Sequence, residues 1–102
     1  MYNEQDQLKL KKMNTFAAEV MKSFRAFDKA AVAGNGSIPV KFKELIAVAI
    51  AFTTQCPYCI DIHRGNARKA GATDAEMIEA AMIAAALRAG AAVTHVTHAL
   101  PN

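Results

Sequence analysis

The sequence is poor in the residues that interrupt a chain, with three prolines and five glycines among 102 residues. Charged residues make up only 21% and hydrophobic residues 53%, a balance that excludes a disordered chain. Aromatic residues are few at 7%, β-branched residues are not heavily used, and no stretch alternates apolar and polar residues with a period of two. These absences, together with abundant alanine, predict an all-α protein.

The N-terminal stretch lacks the apolar core of a signal peptide, because Met1 to Lys12 is polar and charged. The apolar run from Leu45 to Phe52 is too short to cross a bilayer, which takes about 20 residues. We therefore expect a soluble, cytoplasmic protein with no membrane partner.

The excess of positive charge is small, with a formal net charge of +3 and a pI of about 9.0. The lysines are spread over several segments and have no aromatic residues interleaved with them, so no nucleic-acid partner is predicted. The lysines concerned are Lys9, Lys11, Lys12, Lys22, Lys41 and Lys43.

Residues 1–102 are expected to form one domain with a modest core. A first helix is predicted from about Gln5 to Ala33, where apolar residues recur every three or four positions. This stripe should lie in the core or at a subunit interface. Its members are Phe16, Val20, Phe24, Phe27 and Ala31. The loop composition of residues 34–37 ends the helix.

A second helix is predicted from about Pro39 to Thr54, since proline suits a first helical turn. Beyond Glu44 this helix is apolar on every side, so it should be buried all round. A third helix is predicted from Pro57 to about Ala70, with Gly71 as its C-terminal cap.

A fourth helix is marked at its start by Thr73 and Glu76, which have the spacing of a capping box. Its apolar pattern continues through many alanines. We expect a kink or break at Gly90, followed by a last helical stretch from Ala91 to Leu100.

Both cysteines lie in one Cys-x-x-Cys pair, Cys56 and Cys59, which in a reducing compartment indicates redox or metal chemistry. Cys59 falls in the first turn of the third helix, where unpaired N–H groups favour an anion, so the pKa of its thiol is predicted to be lowered. His63 lies one turn further along, about 40° around the helix, and is predicted to take the thiol proton directly or through water. Glu44 is shielded on its apolar helix and suits a proton relay.

Other interpretations of these residues remain open. Glu44 could be an exposed residue near a helix start, and His63 a structural core histidine. A zinc site could use Cys56, Cys59, His63 and Glu44, because cysteine and histidine are normal zinc ligands. Structural zinc sites usually have four Cys or His ligands and only three are evident, so no metal is predicted.

The pattern Glu44-x11-Cys56-x2-Cys59-x3-His63 resembles the core motif of the alkylhydroperoxidase D-like proteins, within the carboxymuconolactone decarboxylase family. The likeness covers roughly Pro39 to Leu100. It implies an all-α helical bundle with the Cys-x-x-Cys at the start of a central helix. It also implies a thiol-dependent peroxidase in which Cys59 attacks, Cys56 resolves it as a disulfide, and His63 and Glu44 relay protons.

One position departs from the best-known form of that motif. Tyr58 stands where the founding members have a histidine, which removes one proton carrier and leaves a phenol, so we assign Tyr58 an auxiliary role. The true decarboxylase branch generally lacks the cysteine pair, which argues against a lyase.

The resemblance further implies a hydroperoxide substrate, an external dithiol reductant (a lipoyl-bearing protein or a peroxiredoxin partner) and a homo-oligomer, a trimer or hexamer. No bound cofactor is required. The alternatives are a carboxymuconolactone decarboxylase-type lyase and a non-enzymatic zinc-binding or redox-sensing module.

Overall fold

The computed structural model describes residues 3–102, without the side chains of Glu4 and Gln7. Every regular element in this range is helical, which confirms the all-α prediction. The helices are α1 Leu10–Phe16, α2 Ala18–Val32, α3 Val40–Thr54, α4 Pro57–Lys69 and α5 Asp74–His95, with 3-10 segments at Glu4–Lys9 and Val96–Ala99.

The single first helix predicted from the sequence is wrong, because the chain breaks at Ala17. This residue leaves the helical region, with φ −136° and ψ 46°, and separates α1 from α2. A hydrogen bond from the Arg25 guanidinium to the Asn14 side chain ties α2 to α1 across the break. No glycine or proline marks the position, so the local sequence contains no signal for it.

The aromatic stripe of this region does not lie in the core of the chain. Phe16 is 87% exposed and Phe27 is 71% exposed, and α2 contains no buried residue. The predicted location of the stripe in the core is therefore wrong, and its location at a subunit interface stays a prediction.

α3 is the central helix, and it packs against both α4 and α5. Its start after Pro39 matches the prediction, but its complete burial does not. Leu45, Val48 and Ala51 are buried, whereas Ile46 and Ile50 on the outer side are 48% and 55% exposed. The helix has neighbours on only part of its circumference, so its outer side remains uncovered in the single chain.

α4 ends as predicted in a turn that requires glycine. Gly71 has φ +96°, a conformation that a residue with a Cβ rarely adopts. Its N–H donates to the Arg68 carbonyl at 3.0 Å, and the Ala72 N–H donates to the Ala67 carbonyl at 2.9 Å. These bonds close the helix end in a Schellman-type motif and place Ala67 and Ala72 in the small core with Leu45.

α5 begins with the predicted capping box. The Glu76 N–H donates to Thr73 Oγ1 at 3.1 Å, and the Thr73 N–H donates to Glu76 Oε1 at 2.9 Å. Glu76 also pairs with Lys41 at 2.9 Å, which fixes the start of α5 against the start of α3. The predicted break at Gly90 is wrong, since α5 runs unbroken to His95, and a kink at this residue stays a prediction. An interior glycine weakens a helix by up to about 1 kcal/mol but does not force it to end.

α5 contains no buried residue. The helical stretch Asp74–Ala99 is also long and apolar enough to cross a membrane, by length and composition alone, a property that the sequence prediction missed. Its outer face and that of α3 enclose an apolar groove of about 680 Å³. The groove is lined mainly by Phe42, Ile46, Ile50, Ile83, Ala84 and Leu87.

Candidate active site

The turn between α3 and α4 reverses the chain and presents both cysteines. Gln55 adopts the left-handed conformation, with φ 57° and ψ 42°, and Cys56 is extended, with φ −101° and ψ 97°. Pro57 then begins α4, where its missing N–H is not needed. Cys56 is therefore the N-cap residue of α4, and Cys59 lies in its first turn.

Glu44 and His63 come together through the packing of α3 against α4, although they are 19 residues apart in the chain. His63 Nδ1 lies 2.7 Å from Glu44 Oε2. Glu44 is only 4% exposed, so the interpretation of Glu44 as an exposed residue is wrong. When the carboxylate accepts a hydrogen bond from Nδ1–H, Nε2 is the ring nitrogen left to accept a proton.

The two cysteines are free, half-buried thiols. The Cys59 N–H donates to Cys56 Sγ at 3.3 Å, so the sulfur of the cap residue occupies the place that a serine or aspartate oxygen takes at other helix starts. Of the two thiols, Cys56 is the one whose sulfur accepts a hydrogen bond from the first turn of α4.

The pKa values of the thiols shift in opposite directions. The pKa of Cys56 is lowered, mainly by the hydrogen bond from the Cys59 side chain and then by the Cys59 N–H. The pKa of Cys59 is raised to about 11, mainly because its thiol donates to Cys56, with burial as the second cause. The predicted lowering of the Cys59 pKa is therefore wrong, because the hydrogen bond to Cys56 and burial outweigh the lowering effect of the helix-end N–H.

The predicted direct proton transfer from Cys59 to His63 has no matching contact. Among the hydrogen bonds of the described residues, that of His63 goes to Glu44, and none joins the imidazole to Cys59. The alternative through one water stays a prediction.

Tyr58 is held at its hydroxyl by the N-terminal segment. The hydroxyl donates to Asp6 Oδ2 at 3.0 Å and interacts with the backbone N–H of Asn3. Asp6 also pairs with Lys9 at 2.8 Å. The pKa of Tyr58 is raised, first by the hydrogen bond to Asp6 and then by burial. The pKa of Asp6 is lowered, first by the hydrogen bond from Lys9 and then by that from Tyr58.

Asp6 is the neighbour of the Cys-x-x-Cys turn that sequence reasoning missed. It lies 52 residues from Tyr58, in a polar segment that has no motif of its own, so no local pattern connects the two.

A zinc site would require at least three ligating side chains to converge. Within the described part of the chain, no three histidine, cysteine, aspartate or glutamate side chains form such a group. The geometry therefore offers no support for the zinc alternative.

The fold and the site define an all-α protein with a thiol pair at the start of one helix and, one turn further along that helix, an imidazole paired with a buried carboxylate. The sequence model of the carboxymuconolactone decarboxylase family matches residues 18–101. The chain belongs to this family, as the motif predicted.

Proteins and a crystal structure from bacteria are similar to the chain. An uncharacterised protein encoded in the cox locus of Paracoccus denitrificans is 45% identical over 81% of this chain and 74% of its own length. An uncharacterised protein of Cupriavidus necator is 34% identical over 78% of this chain and 70% of its own. An apo carboxymuconolactone decarboxylase family protein from Legionella pneumophila has a TM-score of 0.76 and 33% identity, over 82% of this chain and 74% of that one.

Proposed function

We propose that this protein is a thiol-dependent peroxidase, or more broadly a disulfide oxidoreductase, that works through Cys56 and Cys59. The observation that carries the proposal is the direct coupling of two free thiols at a helix start, where the Cys59 N–H donates to Cys56 Sγ at 3.3 Å. Opposite pKa shifts within one pair favour a thiolate on one sulfur and a proton on the other, which is the starting state of thiol redox chemistry.

The catalytic cycle has three balanced steps. A thiolate of the pair attacks one oxygen of the hydroperoxide, the O–O bond breaks, and the leaving alkoxide takes a proton to become an alcohol. The resulting sulfenic acid condenses with the other thiol, which forms the disulfide and releases water. An external dithiol then reduces the disulfide in two exchange reactions and is itself oxidised.

The buried Glu44–His63 pair is proposed to serve proton transfer in this cycle. A leaving alkoxide is a poor leaving group unless it is protonated, and an imidazole can deliver that proton near neutral pH. Glu44 holds Nδ1 of His63 at 2.7 Å, which orients Nε2 as the exchangeable position. A water between His63 and the thiol pair would complete the route.

The reductant is proposed, from the family resemblance, to be a lipoyl group on a protein. Alternatively, this protein serves a peroxiredoxin, and its reduced thiol pair then passes electrons to the disulfide of that partner. Both interpretations need an external dithiol or disulfide that reaches the turn at Cys56, and neither needs a bound cofactor.

A peroxide-reduction assay coupled to a dithiol tests the proposal. We expect turnover with the unaltered protein and its loss in the Cys56→Ser/Cys59→Ser double variant, because no sulfur remains to be oxidised. The Thr53→Ser variant on α3 serves as a matched control and should retain the activity. Full peroxidase activity in the double variant would contradict the mechanism.

The family membership itself favours one rival, a lyase acting on a carboxymuconolactone-like compound. Such a lyase has no redox step, so its activity should survive in the double variant. Product analysis by mass spectrometry, with the lactone as substrate, separates the two proposals. One tightly bound zinc per purified chain would instead favour the non-enzymatic alternative.

A further inference from the structure

Tyr58 lies inside the Cys-x-x-Cys turn, and its side chain is held from outside that turn by the N-terminal 3-10 segment. The Tyr58 hydroxyl donates to Asp6 Oδ2 at 3.0 Å, across 52 positions of the chain. Asp6 is itself fixed, because its N–H donates to the Asn3 carbonyl at 2.9 Å and its carboxylate pairs with Lys9 at 2.8 Å. The segment is therefore joined to the first turn of α4 by a defined side-chain contact.

The position of Tyr58 places this segment beside the thiols. Tyr58 and Cys59 are consecutive residues in the first turn of α4, so their Cα atoms lie about 3.8 Å apart and their side chains leave the helix about 100° apart. A chain segment bound to the Tyr58 hydroxyl then lies at one flank of the thiol pair and not over it. Such a neighbour hinders the approach of a large reactant more than that of a small one.

The docking of the segment is weak enough to be released. Leu8, the large apolar residue of the segment Glu4–Lys9, is 64% exposed, so its burial contributes little to docking. A single intramolecular hydrogen bond shifts an equilibrium between docked and released states by about two- to tenfold. The bond between Tyr58 and Asp6 therefore affects how often the segment moves aside without holding it in place permanently.

We propose that Asp6 is a positioning residue that limits the size of the reactants admitted to the thiol pair. Through the Tyr58 hydroxyl it keeps the N-terminal segment beside the Cys-x-x-Cys turn. Small hydroperoxides reach the sulfurs while the segment is docked, whereas a bulky hydroperoxide or a dithiol carried on a protein reacts after the segment has been released. The restriction comes from outside residues 18–101, the part of the chain that matches the family. The choice of reactants rests on the proposed function, and the steric argument does not.

Two maleimides of different size test the restriction on the reduced protein without any peroxide. N-ethylmaleimide and a maleimide that carries a long polyethylene glycol chain add to the thiolate in the same way, so their rate ratio cancels any change in the thiol pKa. We expect Asp6→Ala to raise the rate of the large reagent at least about threefold relative to the small one, because the hydrogen bond no longer holds the segment. An unchanged ratio would overturn the proposal.

Tyr58→Phe removes the same hydrogen bond from its donor side and leaves the ring in place. It should raise the ratio as Asp6→Ala does, and the double variant should show no further increase, because both changes remove one interaction. Additive increases in the double variant would contradict the assignment of the effect to this bond. Asp6→Asn keeps an acceptor oxygen, so its ratio should remain within about twofold of that of the unaltered protein.

The exposed carboxylate of Asp74 provides the matched control. It pairs with Arg68 near the opposite end of α4, at 2.6 Å, so Asp74→Ala should leave the ratio unchanged. Circular dichroism monitors the folding of each variant. A rise in Asp74→Ala equal to that in Asp6→Ala would assign the effect to a general loosening of the structure and would overturn the proposal.

Turnover measurements separate this proposal from the proposed function. With hydrogen peroxide as the oxidant, Asp6→Ala should raise kcat/KM for a protein-borne dihydrolipoyl group at least about threefold relative to free dihydrolipoamide. If no dithiol supports peroxide reduction, the proposed function is wrong, and the maleimide ratio still decides the role of Asp6. If peroxide is reduced but Asp6→Ala changes neither ratio, the function stands and Asp6 has no part in access.

Discussion

Glu44 is the buried charged side chain among the described residues, and His63 is its hydrogen-bond partner. Removing one partner of a buried pair usually costs stability, because the other is left without a hydrogen bond. An amide in place of the carboxyl keeps the shape and a hydrogen-bonding oxygen. Replacing Glu44 by glutamine therefore removes only the charge and the ability to exchange a proton.

We therefore expect Glu44→Gln to slow peroxide reduction at least about tenfold while the fold is retained, since positioned acid–base groups contribute about 10²-fold or more. Stopped-flow measurement of thiol oxidation gives the rate, and circular dichroism monitors folding. The exposed Glu79 on α5 provides the control, because Glu79→Gln should change neither. Unaltered kinetics in Glu44→Gln would leave Glu44 with a structural role only.

Tyr58 allows a test of the contact with the N-terminal segment. A phenolate beside the Asp6 carboxylate is unfavourable, which raises the pKa of Tyr58 above its usual value of about 10. Asp6→Asn removes the negative charge, so the Tyr58 pKa should fall and its hydroxyl should ionise at lower pH. Tyr2→Phe leaves Tyr58 as the sole tyrosine, and its absorbance near the phenolate band then reports the titration directly.

Asp74 provides the matched control for that titration. Its carboxylate pairs with Arg68 at 2.6 Å, away from Tyr58 in the chain, so Asp74→Asn should leave the tyrosine pKa where it is. A Tyr58 pKa that does not respond to Asp6→Asn would show that the contact is absent in solution.

At the level of single residues, local spacing predicted only part of how the candidate side chains pair. The spacing of Cys59 and His63 places them on one helical face, and that local rule predicted their contact. The contact that the structure shows joins His63 to Glu44, the two residues that the family resemblance implied as a proton relay. It forms because two helices pack together, and no local spacing encodes that packing. The pKa of Cys59 was mispredicted for a related reason, since the rule for a helix start takes no account of the hydrogen bond to Cys56 or of burial.

At the scale of single helices, the start of α5 depends on one side chain, that of Thr73. Thr73 accepts the Glu76 N–H at 3.1 Å, and Glu76 returns the hydrogen bond to the Thr73 backbone. We expect Thr73→Ala to lower the free energy of unfolding by about 1 kcal/mol, because the cap acceptor is lost. Urea denaturation measures the change.

Thr73→Ser keeps the cap oxygen and serves as the matched control, with a change of no more than about a few tenths of a kcal/mol expected. Equal losses in the alanine and serine variants would mean that the methyl group, and not the capping bond, stabilises this end of α5.

Helix ends that depend on side-chain chemistry were predicted within a residue or so. Pro39, Pro57, Gly71 and Thr73 each mark a real end, since each has a local conformational or hydrogen-bonding reason. The break at Ala17 has no such mark. Sequence rules therefore identify helix ends that are set by a cap and miss the break at Ala17, which has no capping residue.

The exposed apolar surface is the dominant feature at the scale of the whole molecule. The α2 stripe is exposed, α5 has no buried residue, and a groove of about 680 Å³ runs between α3 and α5. Large contiguous apolar patches on a protein mark association with another surface. The complete burial predicted for α3 is wrong in the single chain because its outer side faces this groove.

We expect the protein to assemble with copies of itself, and Phe24→Glu on α2 to shift it towards smaller species, because a charge on the stripe is costly to bury. Analytical ultracentrifugation measures the mass. Lys22→Glu reverses the charge of an exposed lysine outside the stripe and serves as the control, with no shift expected. A monomer that sediments with phospholipid vesicles would contradict assembly and assign the apolar helix 74–99 to a membrane.

The hydrogen bond between Tyr58 and Asp6 joins a part of the chain that matches the family model to a part that lies outside the match. Residues 18–101 match the family, whereas Asp6 precedes that region. A chimera that keeps residues 18–101 and receives a foreign N-terminal extension should preserve the helices and both thiols but alter the surroundings of Tyr58. An N-terminal affinity tag would be attached close to Asp6, so a tag at the C-terminus is the better choice for measuring the reactivity of the native thiol pair.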